Sequence, residues 1–169
     1  MTMNLYERIL ETIKGPIIKE ELDVLREYAH KLGKDDIIID IGTHAGKSTF
    51  SMAAATDAKV FTVDNTIFPE FAKNCLRLKM NPIFIFASSR QASKLLKLKG
   101  VKLVFVDADH SYEGVKKDAE KYCPLIETGG HIIFHDYVQK EAHKAINELE
   151  GKFYKRVDVI ESLYIGEII

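Results

Sequence analysis

The sequence predicts a doubly wound α/β domain, with a mostly parallel seven-stranded sheet covered by helices on both faces and an antiparallel C-terminal strand. Three observations lead there. Short apolar runs rich in β-branched and aromatic residues recur along the chain, and helical patterns lie between them. Two further β-rich runs close the chain, joined by a link too short for a parallel crossover.

Taken in order, residues from Asn4 to Lys14 suit a short helix, and Gly15-Pro16 ends it. Ile18, Leu22, Leu25, Ala29 and Leu32 then mark one apolar stripe on a second helix, which Gly33 can stop. The buried strands are Ile37-Ile38-Ile39, Val60 to Val63, Ile83 to Phe86, Leu103 to Val106 and Ile132 to Phe134. Between them, Phe68, Phe71, Cys75 and Leu78 line one helix, and Tyr112, Val115, Ala119, Tyr122 and Ile126 another. After the fifth strand a helix runs through Ala142, Ile146 and Leu149 to a stop at Gly151. The runs Phe153 to Val159 and Leu163 to Ile169 then pair antiparallel across Ile160-Glu161-Ser162. Residues 1–169 are expected to form a single domain, with N-terminal helices within 1–33 preceding the core.

With 169 residues, 46% of them hydrophobic, the chain can bury a proper core without disulfides. Its formal net charge of −1 gives no strong nucleic-acid signal. Cys75 and Cys123 stand far apart within apolar helical patterns and read as buried free thiols, which suits a reducing compartment. No apolar run is long enough to span a bilayer and Met1 to Tyr6 lack a leader pattern, so a cytoplasmic protein with no membrane partner is expected.

In an open parallel sheet, ligands bind beyond the carboxyl ends of the strands, where the strand order reverses. Polar residues cluster at those ends. The first strand runs into Asp40-Ile41-Gly42-Thr43-His44-Ala45-Gly46-Lys47-Ser48, the second into Asp64-Asn65, and the third into Ser88-Ser89-Arg90. The fourth ends in Asp107-Ala108-Asp109-His110 and the fifth in His135-Asp136-Tyr137. Gly42 permits a tight turn and Gly46 a close helix start, where free N–H groups suit a carboxylate or phosphate. Asp64 can accept from both hydroxyls of a ribose. Together they describe a ligand that contains adenosine.

The loop separates three ligand classes. A dinucleotide fingerprint needs glycine where His44 stands. A phosphate-binding P-loop needs four residues between its glycine and Gly-Lys-Ser, and this chain has three, Thr43, His44 and Ala45. A nucleotide hydrolase or kinase is therefore the alternative, and a binding module without catalysis is another. Asp40 before the loop points to the ammonium of an amino-acid moiety.

From about Asp36 to Ile169 the chain resembles the class I S-adenosylmethionine-dependent methyltransferases, on Asp40-Ile41-Gly42, Asp64, Asp107 to Tyr112 and Gly129 to Tyr137. Within that class it is most similar to small O-methyltransferases of the catechol and sugar-modifying kinds. The resemblance implies a Rossmann-like fold, S-adenosylmethionine as cofactor and a hydroxyl of a small molecule as acceptor. It implies that Asp40 and Ser48 hold the methionine end, Asp64 the ribose and Ser88 to Arg90 the neighbourhood of adenine, with Gly42, Thr43, Gly46, Asn65 and Asp107 completing the cofactor site. By the same resemblance Asp107, His135 and Asp136 are expected to bind a divalent metal such as magnesium. His110 falls where the catechol kind has a basic lysine, and it is the expected general base.

Each of these residues also has a plainer reading. Gly42 and Gly46 suit any strand-to-helix turn, Asp64 can cap the segment after it, and Ser88 and Ser89 are good helix N-caps. Asp107 can pair with Lys102 or Lys116. His110 can cap the helix near Ser111, on which Tyr112 is expected to pack. His135 and Asp136 reach one ion only where the strand has begun to turn. His44 is given no role, and His30, His131 and His143 are read as structural or solvated. No large insertion covers the substrate mouth, so a lid is expected from the N-terminal helices or from a second subunit of a homo-oligomer.

Overall fold

The computed structural model describes residues 3–96 and 98–169. Two helices come first, α1 (Leu5–Thr12) and α2 (Lys19–His30). The alternating core follows as β1 (Ile37–Ile41), α3 (Lys47–Ala53), β2 (Lys59–Asp64), α4 (Pro69–Leu78), β3 (Ile83–Phe86), α5 (Ser89–Leu95), β4 (Val101–Val106), α6 (Tyr112–Tyr122) and β5 (Ile126–Phe134). It ends with α7 (Lys140–Leu149), β6 (Tyr154–Ile160) and β7 (Leu163–Ile168).

The strands form one sheet in the order β3-β2-β1-β4-β5-β7-β6. The first five are parallel, β7 runs antiparallel to β5, and β6 antiparallel to β7. This is the doubly wound, mostly parallel arrangement expected, with the antiparallel pair at one edge. The strand order reverses between β1 and β4, which opens the crevice at their carboxyl ends.

Strand alternation decides which residues face which helices. Ile37, Ile39 and Ile41 pack with Ala92 of α5, with Val115, Ala119 and Tyr122 of α6, and with Ala142, Ala145 and Ile146 of α7. Ile38 on the opposite face packs with Leu22, Leu25 and Ala29 of α2 and Met52 of α3, beside Phe105, Ile133 and Leu163. The α2 stripe predicted from spacing is thus the one that seals this face. Burying each such leucine contributes about 1.5–3 kcal/mol.

Caps set several of the ends. Asn4 opens α1 with a capping box to Glu7, and Ser88 opens α5 with one to Gln91. Ser111 opens α6 by accepting from Gly114 N at 3.1 Å. Cys123 is buried as expected, but it begins a short 3-10 turn (Cys123–Leu125) rather than continuing α6, because Pro124 interrupts the ladder. Cys75 is free but only half-buried on α4. Among the described residues no helix is long and apolar enough to cross a membrane.

Candidate active site

A cavity of about 630 Å³ opens beyond the carboxyl ends of the parallel strands. Its wall includes Gly42, Thr43, His44 and Ser48 after β1, Asp64 and Asn65 after β2, Ala87 to Ser89 after β3, and Asp107 to His110 after β4. Asp40 and Gly46 do not line it; they shape it from behind.

The glycine loop is shaped by close approaches that side chains would block. Gly42 has φ of 101°, and a Cβ there would lie 2.0 Å from the Asp107 carbonyl oxygen. Its bareness lets β1 turn against the end of β4. Gly46, at φ of 87°, is the N-cap of α3, and a Cβ there would lie 2.5 Å from the Phe50 ring. This glycine supplies no cap bond, so the first N–H groups of α3 depend on other partners.

Asp40 lies on the α2 and α3 face of β1 and is fully buried. Its Oδ2 accepts from Ser48 Oγ at 2.9 Å and Thr49 Oγ1 at 2.5 Å, while Oδ1 has no partner. Burial, opposed by those two hydroxyls, pushes its carboxyl up to about 7. Asp64 stands on the wall, its Oδ2 accepting from His44 N at 3.1 Å and its Oδ1 from Thr66 N at 2.8 Å. The second contact is the local cap the sequence allowed. Each oxygen keeps a further acceptor site, so capping leaves it able to bind hydroxyls.

Ser88 lines the cavity, but its hydroxyl is engaged with Gln91 in the cap. Asn65 and Ser89 line it too. His44, at φ of 46°, lies on the wall with its ring 4.6 Å from that of Phe68.

At the other end four groups predicted from sequence meet, in a changed arrangement. Asp107 follows β4 and His135 follows β5, on the face that carries Phe105 and Ile133. His135 Nδ1 sits 3.2 Å from Asp107 Oδ1 and 3.1 Å from Asp136 Oδ2, though neither contact has hydrogen-bond direction. Its Nε2 is 3.2 Å from Glu21 Oε2 on α2. Burial lowers the imidazole pKa, but Asp107, Asp136 and Glu21 outweigh it and hold it at about 9.

The expected metal set, Asp107, His135 and Asp136, is drawn together, and His110 joins it. His135 is 7% exposed and sits among carboxylates. The donor atoms that come together, all within 4.8 Å of one another, belong to Asp107, His110 and Asp136. Asp136 reaches them because the strand has ended at Phe134 and its own φ is 58°. His110 Nδ1 lies 3.2 Å from Asp136 Oδ2, and the helix beside it is capped by Ser111 instead. Burial opposes ionisation of Asp136, but hydrogen bonding and the two histidines keep its carboxyl below the usual range.

Neither lysine considered for Asp107 pairs with it: Lys102 binds Glu127 at 2.7 Å and Lys116 binds Glu148 at 2.6 Å. Tyr112 turns to Glu148 and Lys116, away from the cavity. His131 meets Tyr28 edge-on, His143 lies against Tyr137, and His30 contacts the Ala55 carbonyl, all structural settings.

Three contributors escaped the sequence reading. Glu21, 3% exposed, accepts from Ile18 N, Ser162 N and Ser162 Oγ besides facing His135, so it ties α2 to the β6–β7 turn and to the site. Lys47 Nζ donates to Ile17 O at 2.7 Å, and the segment from Lys14 to Ile17 forms part of the cavity wall. The wall thus takes in the link between α1 and α2, and no residue of those helices themselves. Asp118 of α6 is 4% exposed and also lines the cavity. An acidic residue inside an otherwise apolar helical stripe was the available signal for Glu21 and Asp118.

Comparison with known proteins agrees with this fold. An uncharacterised protein of Acanthamoeba polyphaga mimivirus is 27% identical over 145 residues, covering 76% of this chain; the match spans 64% of that curated relative's length. An O-methyltransferase from Bacillus cereus, solved with SAH, superposes with a TM-score of 0.80 at 14% identity, covering 100% of this chain and 92% of that one. An rRNA methylase from Streptococcus thermophilus gives 0.71 at 14% identity, over 91% and 99% of the two chains. At such identities the two structures establish the shared fold. The methyltransferase-domain family model matches residues 39–137, more than half of the chain and the whole stretch from β1 to Tyr137, and the chain therefore belongs to the methyltransferase-domain family, of the class I S-adenosylmethionine-dependent kind.

Proposed function

We propose that the protein transfers a methyl group from S-adenosylmethionine to a hydroxyl of a small molecule. The observation that carries this reading is one cavity with Asp64 on one wall and an Asp136–His110 pair at the rim near Asp107. The residues fit such a cofactor: an acceptor for ribose hydroxyls at Asp64, a bare glycine turn at Gly42, and Ser48 on the wall, backed by the buried Asp40 carboxyl. When bound, the cofactor supplies an electrophilic methyl on a sulfonium, and its S–CH3 bond breaks with the electron pair left on sulfur.

The chain's own part is positioning and proton transfer. Asp136 Oδ2 lies 3.2 Å from His110 Nδ1, and its charge favours the tautomer protonated there, with a free lone pair on Nε2. That nitrogen takes the proton from the acceptor hydroxyl as its oxygen bonds to the methyl carbon. Lys14 to Ile17, held by Lys47, help keep water from that reaction. Asp107 and Asp136 offer two oxygen donors, which suit magnesium or manganese, and such an ion would lower the pKa of the hydroxyl that His110 deprotonates.

Incubation with methyl-labelled cofactor and a panel of catechols, polyols and sugars tests the reading. Label should appear on an oxygen of at least one acceptor. Label found on nitrogen or carbon acceptors only would reject the hydroxyl assignment.

A further inference from the structure

We propose that Asp118 is the residue that selects adenine in the cofactor, by accepting a hydrogen bond from the exocyclic 6-amino group. The assignment rests on the cofactor reading above and adds a specificity-determining residue to it.

With the ribose on Asp64, the base extends along the wall made by Ala87, Ser88, Ser89, Ala108, Asp109 and Asp118. Most polar groups of that wall are already engaged. The Ser88 hydroxyl is held by Gln91, and Asp109 Oδ1 accepts from Ser111 N at 3.0 Å. Tyr122 OH donates to Ser89 O at 2.8 Å, which anchors the start of α5 against α6.

Asp118 lies one turn before Tyr122 on α6, so it faces the same junction. It is 4% exposed and still contributes to the cavity wall. Among the described residues it makes no ion pair with a lysine, arginine or histidine, and the Ser89 hydroxyl is the hydrogen-bonding neighbour that steadies it. A buried carboxyl with no cation and an opening to a ligand cavity is costly unless a donor arrives with the ligand. Adenine presents such a donor at position 6. Hypoxanthine presents a carbonyl there, which a carboxylate repels; its N1 also gains a hydrogen, so the bases differ at two adjacent atoms and the Asp118 contact reads the group at position 6.

The test compares binding of S-adenosylhomocysteine and S-inosylhomocysteine by titration calorimetry, for wild type and for Asp118→Asn. Asparagine keeps the shape and can donate to the carbonyl of hypoxanthine. Wild type should prefer the adenine form by roughly ten- to a hundredfold, the range expected for a hydrogen bond to a charged group. In Asp118→Asn the preference should collapse or reverse, mainly because the inosine form binds more tightly. That gain cannot come from a merely damaged fold. Equal binding of both forms by wild type, or full discrimination retained in Asp118→Asn, would overturn the assignment. Failure of wild type to bind either form would overturn the cofactor reading itself, and this assignment with it.

Discussion

Glu21 and His135 stand 114 positions apart in sequence and meet at 3.2 Å, both buried, where the N-terminal helix crosses the end of the fifth strand. The pair joins an element outside the family match to the carboxylates Asp107 and Asp136 beside the candidate active site. A carboxylate so buried is tolerable because each oxygen is used: Oε1 by Ser162, and Oε2 by Ile18 N and the imidazole.

Breaking that pair should therefore be expensive. Glu21→Ala leaves the His135 charge with fewer partners and orphans the Ser162 donors, so a loss of about 3–5 kcal/mol is expected. Glu21→Gln keeps the hydrogen-bonding shape and should cost less. Urea unfolding of both variants measures this; equal stability of wild type and Glu21→Ala would contradict the account.

Asp40 gives the protein a pH dependence of definite sign. Its folded pKa of about 7 lies above the unfolded value of 3.8, so the native state binds the extra proton between them. Stability from this group is present at acid pH and declines as pH rises from about 4 to 7, by up to about 4 kcal/mol. Asp40→Asn removes the titration, so its stability relative to wild type should increase across that window. Unfolding curves that stay parallel between the two from pH 4 to 8 would refute the assignment.

The Gly42 turn should not tolerate a side chain. Alanine there faces the Asp107 carbonyl at 2.0 Å with φ of 101°, and backbone must move. Gly42→Ala is expected to lose about 1–3 kcal/mol or more and to weaken cofactor binding as β1 and β4 separate. A variant with wild-type melting and affinity would show that the turn relaxes freely.

Catalysis should separate from binding at the Asp136–His110 pair. His110→Ala is expected to lower turnover of a cognate acceptor by roughly 10²–10⁴-fold, and Asp136→Ala to do likewise, with cofactor affinity nearly unchanged. Chelator should mimic Asp136→Ala where an ion takes part. Full activity in both variants removes these roles.

How much of this was legible in the sequence follows from what each signal depends on. Apolar runs such as Ile37-Ile38-Ile39 and the α2 stripe are local patterns, and they mapped directly onto β1 and the sealed face. The polar residues at strand ends were legible because the parallel topology forces them to one side, so Asp64, Asp107 and His110 were brought to one cavity. That His135 also faces Glu21 was not legible, because no local pattern links α2 to β5. Asp40 shows the same limit: alternation places it behind the loop, on α3, where its hydroxyl partners are Ser48 and Thr49. The length and cover of the mouth, set by Lys47 holding Ile17, required the tertiary contact to be seen.

The central claim is that this cavity holds S-adenosylmethionine with its ribose on Asp64, and titration calorimetry with that cofactor addresses it most directly. Wild type should bind one equivalent. A folded Asp64→Ala variant should bind roughly ten- to a hundredfold more weakly, since its ribose loses hydrogen bonds to a charged group. Unchanged affinity in Asp64→Ala, or no binding by wild type, would contradict the claim.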